Sequence, residues 1–147
     1  MKSGNPDPIK TGMLDALLGY QLRRAQSAVF AEFMQEMVLD QVTPGQFGVL
    51  VLIQENSGLN QSSLARALGI ERSTMVGVID RLQKRGLVER RKSLTDKRAH
   101  ALGLTIEGKQ LLNTVIPKVK RHEQHISNNL SAAERDTLMS LLRRIAR

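Results

Sequence analysis

Residues 90–100, RRKSLTDKRAH, form a stretch whose charged side chains are suited to binding a ligand. Six of these eleven residues are Arg, Lys or His, and one is a carboxylate. Positive charges this close repel one another unless a polyanion faces them, and Arg and Lys are the side chains that bind phosphate oxygens. The stretch therefore predicts contact with nucleic acid, and a solubilising surface is the alternative.

The distribution of charge along the chain bears on the same question. The net charge is +8, and residues 1–60 hold four Lys/Arg against six Asp/Glu. Residues 61–98 hold ten against four, and residues 99–147 hold eight against four. The positive excess thus begins in the middle of the chain, which favours a polyanionic partner, nucleic acid first.

Residues 121–125, RHEQH, are a second candidate for chemistry. The zinc-protease motif places its second histidine four positions after the first, whereas His122 and His125 are three apart, which excludes that enzyme class. Such a pair can hold a metal ion if another ligand comes from elsewhere, and solvated histidines are the alternative. The chain also lacks a phosphate-binding glycine loop and a nucleophile elbow. We therefore expect that the protein is not an enzyme and that it has no cofactor, and we assign none of its residues as a metal ligand.

The elements that position the basic stretch follow from periodicity and capping. Apolar spacing predicts one long helix from Met13 to Leu39, and Thr43 with Gln46 predicts a capped helix at residues 44–55. Asn60 is expected to cap a short helix that Gly69 ends, and another helix runs from residue 71 or 72 to Gly86. Two short helices joined by a turn with glycine describe a helix-turn-helix.

The second of these two helices has the faces of a DNA-recognition helix. Its buried stripe is predicted to be Met75, Val78, Ile79 and Leu82. The opposite face is small and polar near the start of the helix and basic near its end. Short side chains let a backbone approach base edges, and Arg or Lys then reaches bases or phosphates.

The basic stretch fits a hairpin that follows this helix. LVERR alternates like a strand, KSLTDK has the composition of a turn, and RAHALGL can return as a second strand. A hairpin after a recognition helix makes a winged helix-turn-helix, with the cations of the wing facing phosphate or a minor groove. Asp96 lies two residues before Arg98 and is expected to orient its guanidinium.

The remaining chain is predicted to be helical. Thr105 caps a helix over about residues 106–127 that Pro117 kinks or splits, and SAAE at 131–134 caps a last helix. The apolar stripes of the terminal helices exceed what one small lobe can cover, which favours a homodimer over packing within one chain. The expected fold class is mainly α with a small β wing: a winged helix-turn-helix lobe plus N- and C-terminal dimerisation helices.

The order of these segments resembles the multiple antibiotic resistance regulator (MarR) family. The resemblance covers about residues 13–146 and is carried by LARALGI, RLQKRGLVER, the DKR of the wing and LTIEG. It implies a single domain of 1–147, with the lobe at about 44–104 and dimerisation helices at about 13–39 and 106–146. It also implies a transcriptional repressor that a small aromatic or phenolic ligand releases from double-stranded DNA, at a palindromic operator.

Carried over by position, the family's recognition helix falls on residues 72–85 and its wing on 88–104. Gly77 departs from the family pattern, in which a longer and often cationic side chain is common. This departure shifts the expected base contacts to Ser73, Thr74 and Arg81. The full set of expected DNA contacts is Arg72, Ser73, Thr74, Val76, Gly77, Arg81, Lys84, Arg90, Lys92, Asp96, Lys97 and Arg98.

An effector site is expected where the family binds its ligands, between the first helix, the second helix and the base of the lobe. The expected contacts are Tyr20, Arg23, Gln26 and Phe47, a phenol with neighbouring cations suited to an anionic aromatic ligand. A tyrosine at the core edge beside arginines lying along the surface is the alternative. Relatives linked to aromatic-acid catabolism have a similar sequence in the first helix. This similarity implies that the ligand is an aromatic acid or its coenzyme A thioester.

Several classes of protein are excluded by composition. The chain has no cysteine, which excludes disulfides, cysteine-bound metal and thiol-based redox sensing. The longest apolar run, residues 49–53, is far shorter than the ~20 residues that span a bilayer, and no signal peptide is visible, so we expect a cytoplasmic protein without a membrane partner. Two functions compete with the ligand-responsive repressor: a sequence-indifferent architectural DNA-binding protein, and a metal-responsive regulator using His122 and His125.

Overall fold

The computed structural model describes residues 9–93 and 100–146, where the chain forms six α-helices and a two-stranded sheet. A short 3₁₀ helix, Gly12–Ala16, comes first. The elements that follow are α1 (Leu18–Glu36), α2 (Pro44–Glu55), α3 (Gln61–Leu68), α4 (Arg72–Lys84), β1 (Val88–Lys92), β2 (His100–Leu104), α5 (Ile106–Ile126) and α6 (Ala132–Ile145). The prediction of a mainly α fold with a small β wing is confirmed.

The helices begin at the capping residues that the sequence predicted. Thr43 Oγ1 accepts from the backbone N–H of Gln46 at 3.2 Å, and Gln46 Oε1 accepts from the N–H of Thr43 at 3.1 Å. Ser131 and Glu134 form the same reciprocal box at the start of α6. The backbone N–H of Ser131 donates to the Glu134 carboxylate, and this bond lowers the pKa of Glu134. Each box satisfies amide groups that a helix start otherwise leaves unpaired.

The first helix is shorter than predicted, and the single span from Met13 to Leu39 is wrong. Leu17 is extended, with φ −89° and ψ 122°, and separates the 3₁₀ helix from α1. At the other end, the N–H groups of Asp40 and Gln41 both donate to the carbonyl of Met37, which closes a turn after the helix. Apolar spacing continued through both interruptions because Leu14 and Val38 lie in phase with the helix.

Helix α5 runs without a break from Ile106 to Ile126 and includes Pro117, so the proline does not split it. A proline removes one amide donor and disturbs one turn, and the flanking turns keep their own hydrogen bonds. Thr105 begins the helix, with its Oγ1 accepting from the N–H of Gly108 at 3.0 Å.

The base of α5 is packed tightly against the end of the recognition helix. Thr105 Oγ1 donates to the carbonyl of Gly86 at 2.6 Å, and the N–H of Thr105 donates to the carbonyl of Leu87 at 3.2 Å. A Cβ on Gly108 would lie 2.1 Å from that same Leu87 oxygen. Only glycine permits this approach, which explains the LTIEG segment in physical terms.

The wing strands pair in antiparallel register, from Val88 opposite Leu104 to Lys92 opposite His100. The N–H of Leu102 also donates to the carbonyl of Leu59 at 2.8 Å, which ties the hairpin to the loop before α3. Val88, Leu102 and Leu104 are buried, whereas residues 89–92 are exposed. The wing is therefore anchored at its base, and the charged residues of β1 are exposed.

The hydrophobic core joins the end of α1 to the lobe and to the first half of α5. Its fully buried side chains are Met37, Val42, Val49, Leu50, Leu64, Met75, Ile79, Leu82, Val88, Leu112 and Val115. Helix α6 contributes no buried residue. In the part of the chain that the structure describes, no helix combines the length and apolar character needed to cross a membrane.

Candidate nucleic-acid interface

The turn between α3 and α4 fixes the direction of the recognition helix. Gly69 ends α3 in the left-handed conformation, with φ 62°. The N–H of Ile70 then donates to the carbonyl of Ala65 at 2.9 Å, closing the helix end. This is the glycine-terminated corner that the sequence predicted, and it leads directly into α4.

Helix α4 separates its residues into two faces. Met75, Val78, Ile79 and Leu82 are buried, as the spacing predicted. The expected DNA contacts of this helix lie on the other face: Arg72, Ser73, Thr74, Val76, Arg81 and Lys84 are exposed, and Gly77 is half-buried. Val76 keeps 40% of its surface exposed, an apolar contact suited to a thymine methyl group.

The start of α4 is suited to a phosphate. Its N-cap residue, Glu71, makes no side-chain hydrogen bond to the helix, and its first turn contains no acidic residue. The amide groups near Ser73 and Thr74 therefore lack a side-chain cap, and the positive end of the helix dipole lies at the same place. Helix starts of this kind bind phosphate groups.

The side chain of Arg81 lies beside Gly77. A Cβ built on Gly77 would meet Arg81 Nη2 at 3.7 Å, an ordinary contact distance. The guanidinium of Arg81 therefore lies beside the glycine, one turn before its own position on the helix.

Arg90 connects the wing to both helices of the motif. Its Nη1 donates to Gln83 Oε1 at 2.7 Å, and its Nη2 donates to Asp80 Oδ1 at 3.1 Å. A longer contact, 3.4 Å, joins Nη2 to Gln61 Oε1 on α3. Sequence reasoning expected Arg90 to contact DNA and did not identify these acceptors, because no local pattern links residues 7 to 29 positions apart.

The other wing cations differ in how they are engaged. Arg91 pairs with Glu89 on the same strand, and a Cβ on Gly103 would lie 2.7 Å from its guanidinium carbon. Lys92 is exposed. Asp96, Lys97 and Arg98, the remaining expected wing contacts, lie outside the described residues.

The expected effector residues fall in two separate places. Tyr20 is half-buried on α1 with the guanidinium carbon of Arg24 5.8 Å from its ring centre, and Arg23 and Gln26 are exposed on the same helix. Phe47 packs instead against Phe33, with ring centres 6.3 Å apart. Phe33 follows Tyr20 by thirteen residues of helix, a separation of about 20 Å.

The two C-terminal histidines have different environments. His122 is 5% exposed, its Nε2 lies 3.2 Å from the carbonyl of Val29, and its ring meets Phe33 edge-on. A carbonyl only accepts, so Nε2 carries the proton. His125 is exposed and faces Glu32 at 3.8 Å. Among the described residues, no three His, Cys, Asp or Glu side chains are grouped closely enough to hold a metal ion.

Helices α3 and α4 meet at a tight turn, α4 exposes a polar face, and the wing follows and is bonded to α4. This arrangement defines a winged helix-turn-helix protein. The sequence model of the MarR family matches residues 42–100, from the turn before α2 to the start of β2. A proposed transcriptional regulatory protein for the hcr operon of Thauera aromatica is 42% identical over 137 residues, covering 92% of this chain and 82% of that protein. The chain belongs to the MarR family of transcriptional regulators.

Other relatives agree with this assignment. The transcriptional repressor NicR of Pseudomonas putida is 30% identical over 128 residues, 87% of this chain and 81% of that protein. The transcriptional repressor CouR, solved bound to a 23-mer DNA duplex, has a TM-score of 0.88 and 42% identity over 95% of this chain and 99% of that one. CouR bound to p-coumaroyl-CoA matches with a TM-score of 0.88, 41% identity and the same coverage. All of these relatives are transcriptional regulators.

Proposed function

We propose that the protein is a sequence-specific transcriptional repressor that binds a palindromic operator as a homodimer and is released by a small aromatic ligand. The observation that carries this proposal is the exposed face of α4, small and polar at its start and cationic at Arg81 and Lys84. Such a face suits base edges and phosphates together. The likeness to CouR bound to duplex DNA supports it.

The homodimer is supported by apolar surface that one chain leaves uncovered. Leu18 and Ile145 are 63% and 52% exposed, and both line a groove of about 540 Å³ between α1 and α6. Phe30 and Met34 continue an exposed stripe along α1, and Val38 is exposed in the turn that follows. A contiguous apolar surface of this kind marks an interface, and a second copy supplies a matching one.

The effector is proposed to be an aromatic acid or its coenzyme A thioester. The support is the similarity to CouR bound to p-coumaroyl-CoA, together with the phenol and cations on α1. Tyr20 and Arg23 are the proposed contacts to the ligand's anionic part, since a buried anion needs a cationic or hydroxyl partner. Gln26, on the same helix, is proposed to border the site, whereas Phe47 lies apart from it against Phe33.

A release experiment tests the effector. Fluorescence anisotropy follows a labelled duplex from the region in front of the gene, bound by the protein and titrated with p-coumaroyl-CoA or free p-coumarate. We expect one of them to weaken DNA binding by about 5–150-fold, the usual range of coupling between sites. Release by neither compound would remove hydroxycinnamate ligands from the proposal.

Variants then locate the site. Arg23→Ala is expected to weaken binding of the releasing compound, measured by calorimetry without DNA, and Lys120→Ala on α5 is the charge-matched control. Both side chains are exposed, so neither change opens a cavity. Equal ligand affinities for the two variants would place the site away from Arg23.

A further inference from the structure

The turn between α1 and α2, Met37–Gln41, is held by side chains from two other helices. Arg85, the C-cap residue of α4, donates from Nη1 to the carbonyl of Gln41 at 2.6 Å and from Nη2 to the carbonyl of Asp40 at 2.9 Å. Lys118 of α5 pairs with the Asp40 carboxylate at 2.5 Å. The turn thus joins the recognition helix to both long helices.

The Lys118–Asp40 pair is the most buried ion pair among the described residues. Its side chains are 24% and 11% exposed, whereas the Arg90–Asp80 pair, the next most buried, shows 32% and 47%. A partly buried pair is screened less by salt than a surface pair. It is therefore suited to holding the turn against α5.

The backbone of the turn is specific as well. Gln41 has φ 53°, a conformation that residues other than glycine adopt uncommonly. Arg85 satisfies two successive carbonyls there with one planar guanidinium, which an ammonium group cannot reproduce.

We propose that Arg85 is a positioning residue that sets the angle of the recognition helix relative to the dimerisation helices, acting through Asp40 and Lys118. The inference rests on the proposed function, because it concerns how a dimer presents two recognition helices. Two of the five N–H groups of Arg85 donate to these carbonyls, which fixes its guanidinium against the turn. Its neighbour Lys84 is also exposed, and it makes no hydrogen bond to residues 37–41, all of which the structure describes.

The consequence is a defined distance between half-sites. Two recognition helices of a dimer enter successive major grooves about 34–36 Å apart, so half-site spacing reports the orientation of the lobes. A rigid junction permits one spacing. Without the two hydrogen bonds from Arg85, the lobe can turn relative to the dimerisation helices. The dimer then also binds operators with other half-site spacings.

The test is a spacing series. An operator is selected from random duplexes with the wild-type protein, and one or two base pairs are then added or removed between its half-sites. We expect one added base pair to weaken wild-type binding roughly 30-fold and binding by Arg85→Ala roughly three-fold. Dimer mass by light scattering and thermal unfolding are measured for every variant.

Three further variants separate positioning from charge. Arg85→Lys keeps the positive charge and loses the paired hydrogen bonds to the turn carbonyls, so we expect weaker discrimination between half-site spacings. Asp40→Asn removes the pair with Lys118 and a negative charge, so spacing relaxes although the charge change favours DNA. Lys84→Ala removes a cation without touching the junction, so absolute affinity falls and spacing preference stays.

Each outcome decides the inference. Relaxed spacing in Arg85→Lys and Asp40→Asn with folded dimers supports it, including the case in which Arg85→Ala fails to fold. Wild-type spacing preference in either of these two folded variants overturns it and leaves the proposed function intact. A wild-type protein that selects no sequence contradicts the proposed function itself and the inference with it.

Discussion

At the scale of single residues, the wing contains cations with different roles. Arg90 is held by Gln83 and Asp80, and its positive charge is balanced by the Asp80 carboxylate. Lys92 is exposed at the end of β1. Since counterion release depends on cations that reach phosphates, the two residues are expected to affect salt dependence differently.

Lys92→Ala is expected to lower the slope of log affinity against log salt by about one unit. Arg90→Ala is expected to weaken operator binding while the slope changes much less, because it loosens the wing from α4. Anisotropy titrations at four salt concentrations measure both. Equal slope changes in the two variants would assign Arg90 to a phosphate.

Gly77→Ala tests whether the glycine serves DNA contact. The added methyl group meets Arg81 at an ordinary distance, and alanine in a helix interior stabilises by about 0.5–1 kcal/mol relative to glycine. We expect a higher melting temperature together with weaker operator binding, since a methyl group holds the backbone away from base edges. A variant that is more stable and binds equally well would show that the groove leaves room at this position.

Residue roles could be predicted only where they depend on local sequence. The exposed face of α4 followed from helical spacing, and the residues on it lie where expected. The acceptors of Arg90 and Arg85 lie 7 to 45 positions away in the chain, and one sequence has no pattern that pairs them. Phe47 and Tyr20 were grouped by family analogy, but Phe47 packs on Phe33, thirteen residues along α1 from Tyr20.

At the scale of elements, capping residues were the reliable signal. Thr43, Asn60, Thr105 and Ser131 all accept a backbone N–H three residues later. Apolar spacing alone was less reliable, because it does not register the extended Leu17 or the turn that ends α1. Those breaks depend on backbone conformation, which apolar spacing does not encode.

The close contact between Leu87, which follows α4, and Gly108 of α5 predicts different effects for two glycines near helix starts. Gly108→Ala is expected to lower the free energy of unfolding by about 2–3 kcal/mol, because the new Cβ overlaps the Leu87 carbonyl. Gly45→Ala in α2 meets only the tip of Ile70 at 4.0 Å and is expected to be neutral or slightly stabilising. Urea unfolding measures both, and equal effects would contradict the tight joint.

At the scale of the whole molecule, the apolar surface of α1 and α6 requires a partner. Leu141 is 45% exposed and lines the groove between these helices. We expect Leu141→Glu to dissociate or unfold the protein, because an unpaired carboxylate buried in an interface costs several kcal/mol. Ser140→Glu is the control, because Ser140 is on α6 but does not line the groove. Size-exclusion chromatography with light scattering is the measurement. A wild-type protein that is folded and monomeric in solution would contradict the proposal of a homodimer.

Sequence discrimination is the most direct test of the account. The affinity of the wild-type dimer is measured at physiological salt for its selected operator and for a scrambled duplex of the same length and composition. A repressor that reads bases through α4 is expected to prefer the operator by about 10³-fold or more. An architectural protein that binds through charge alone shows almost no preference, and equal affinities for the two duplexes would contradict the proposed function.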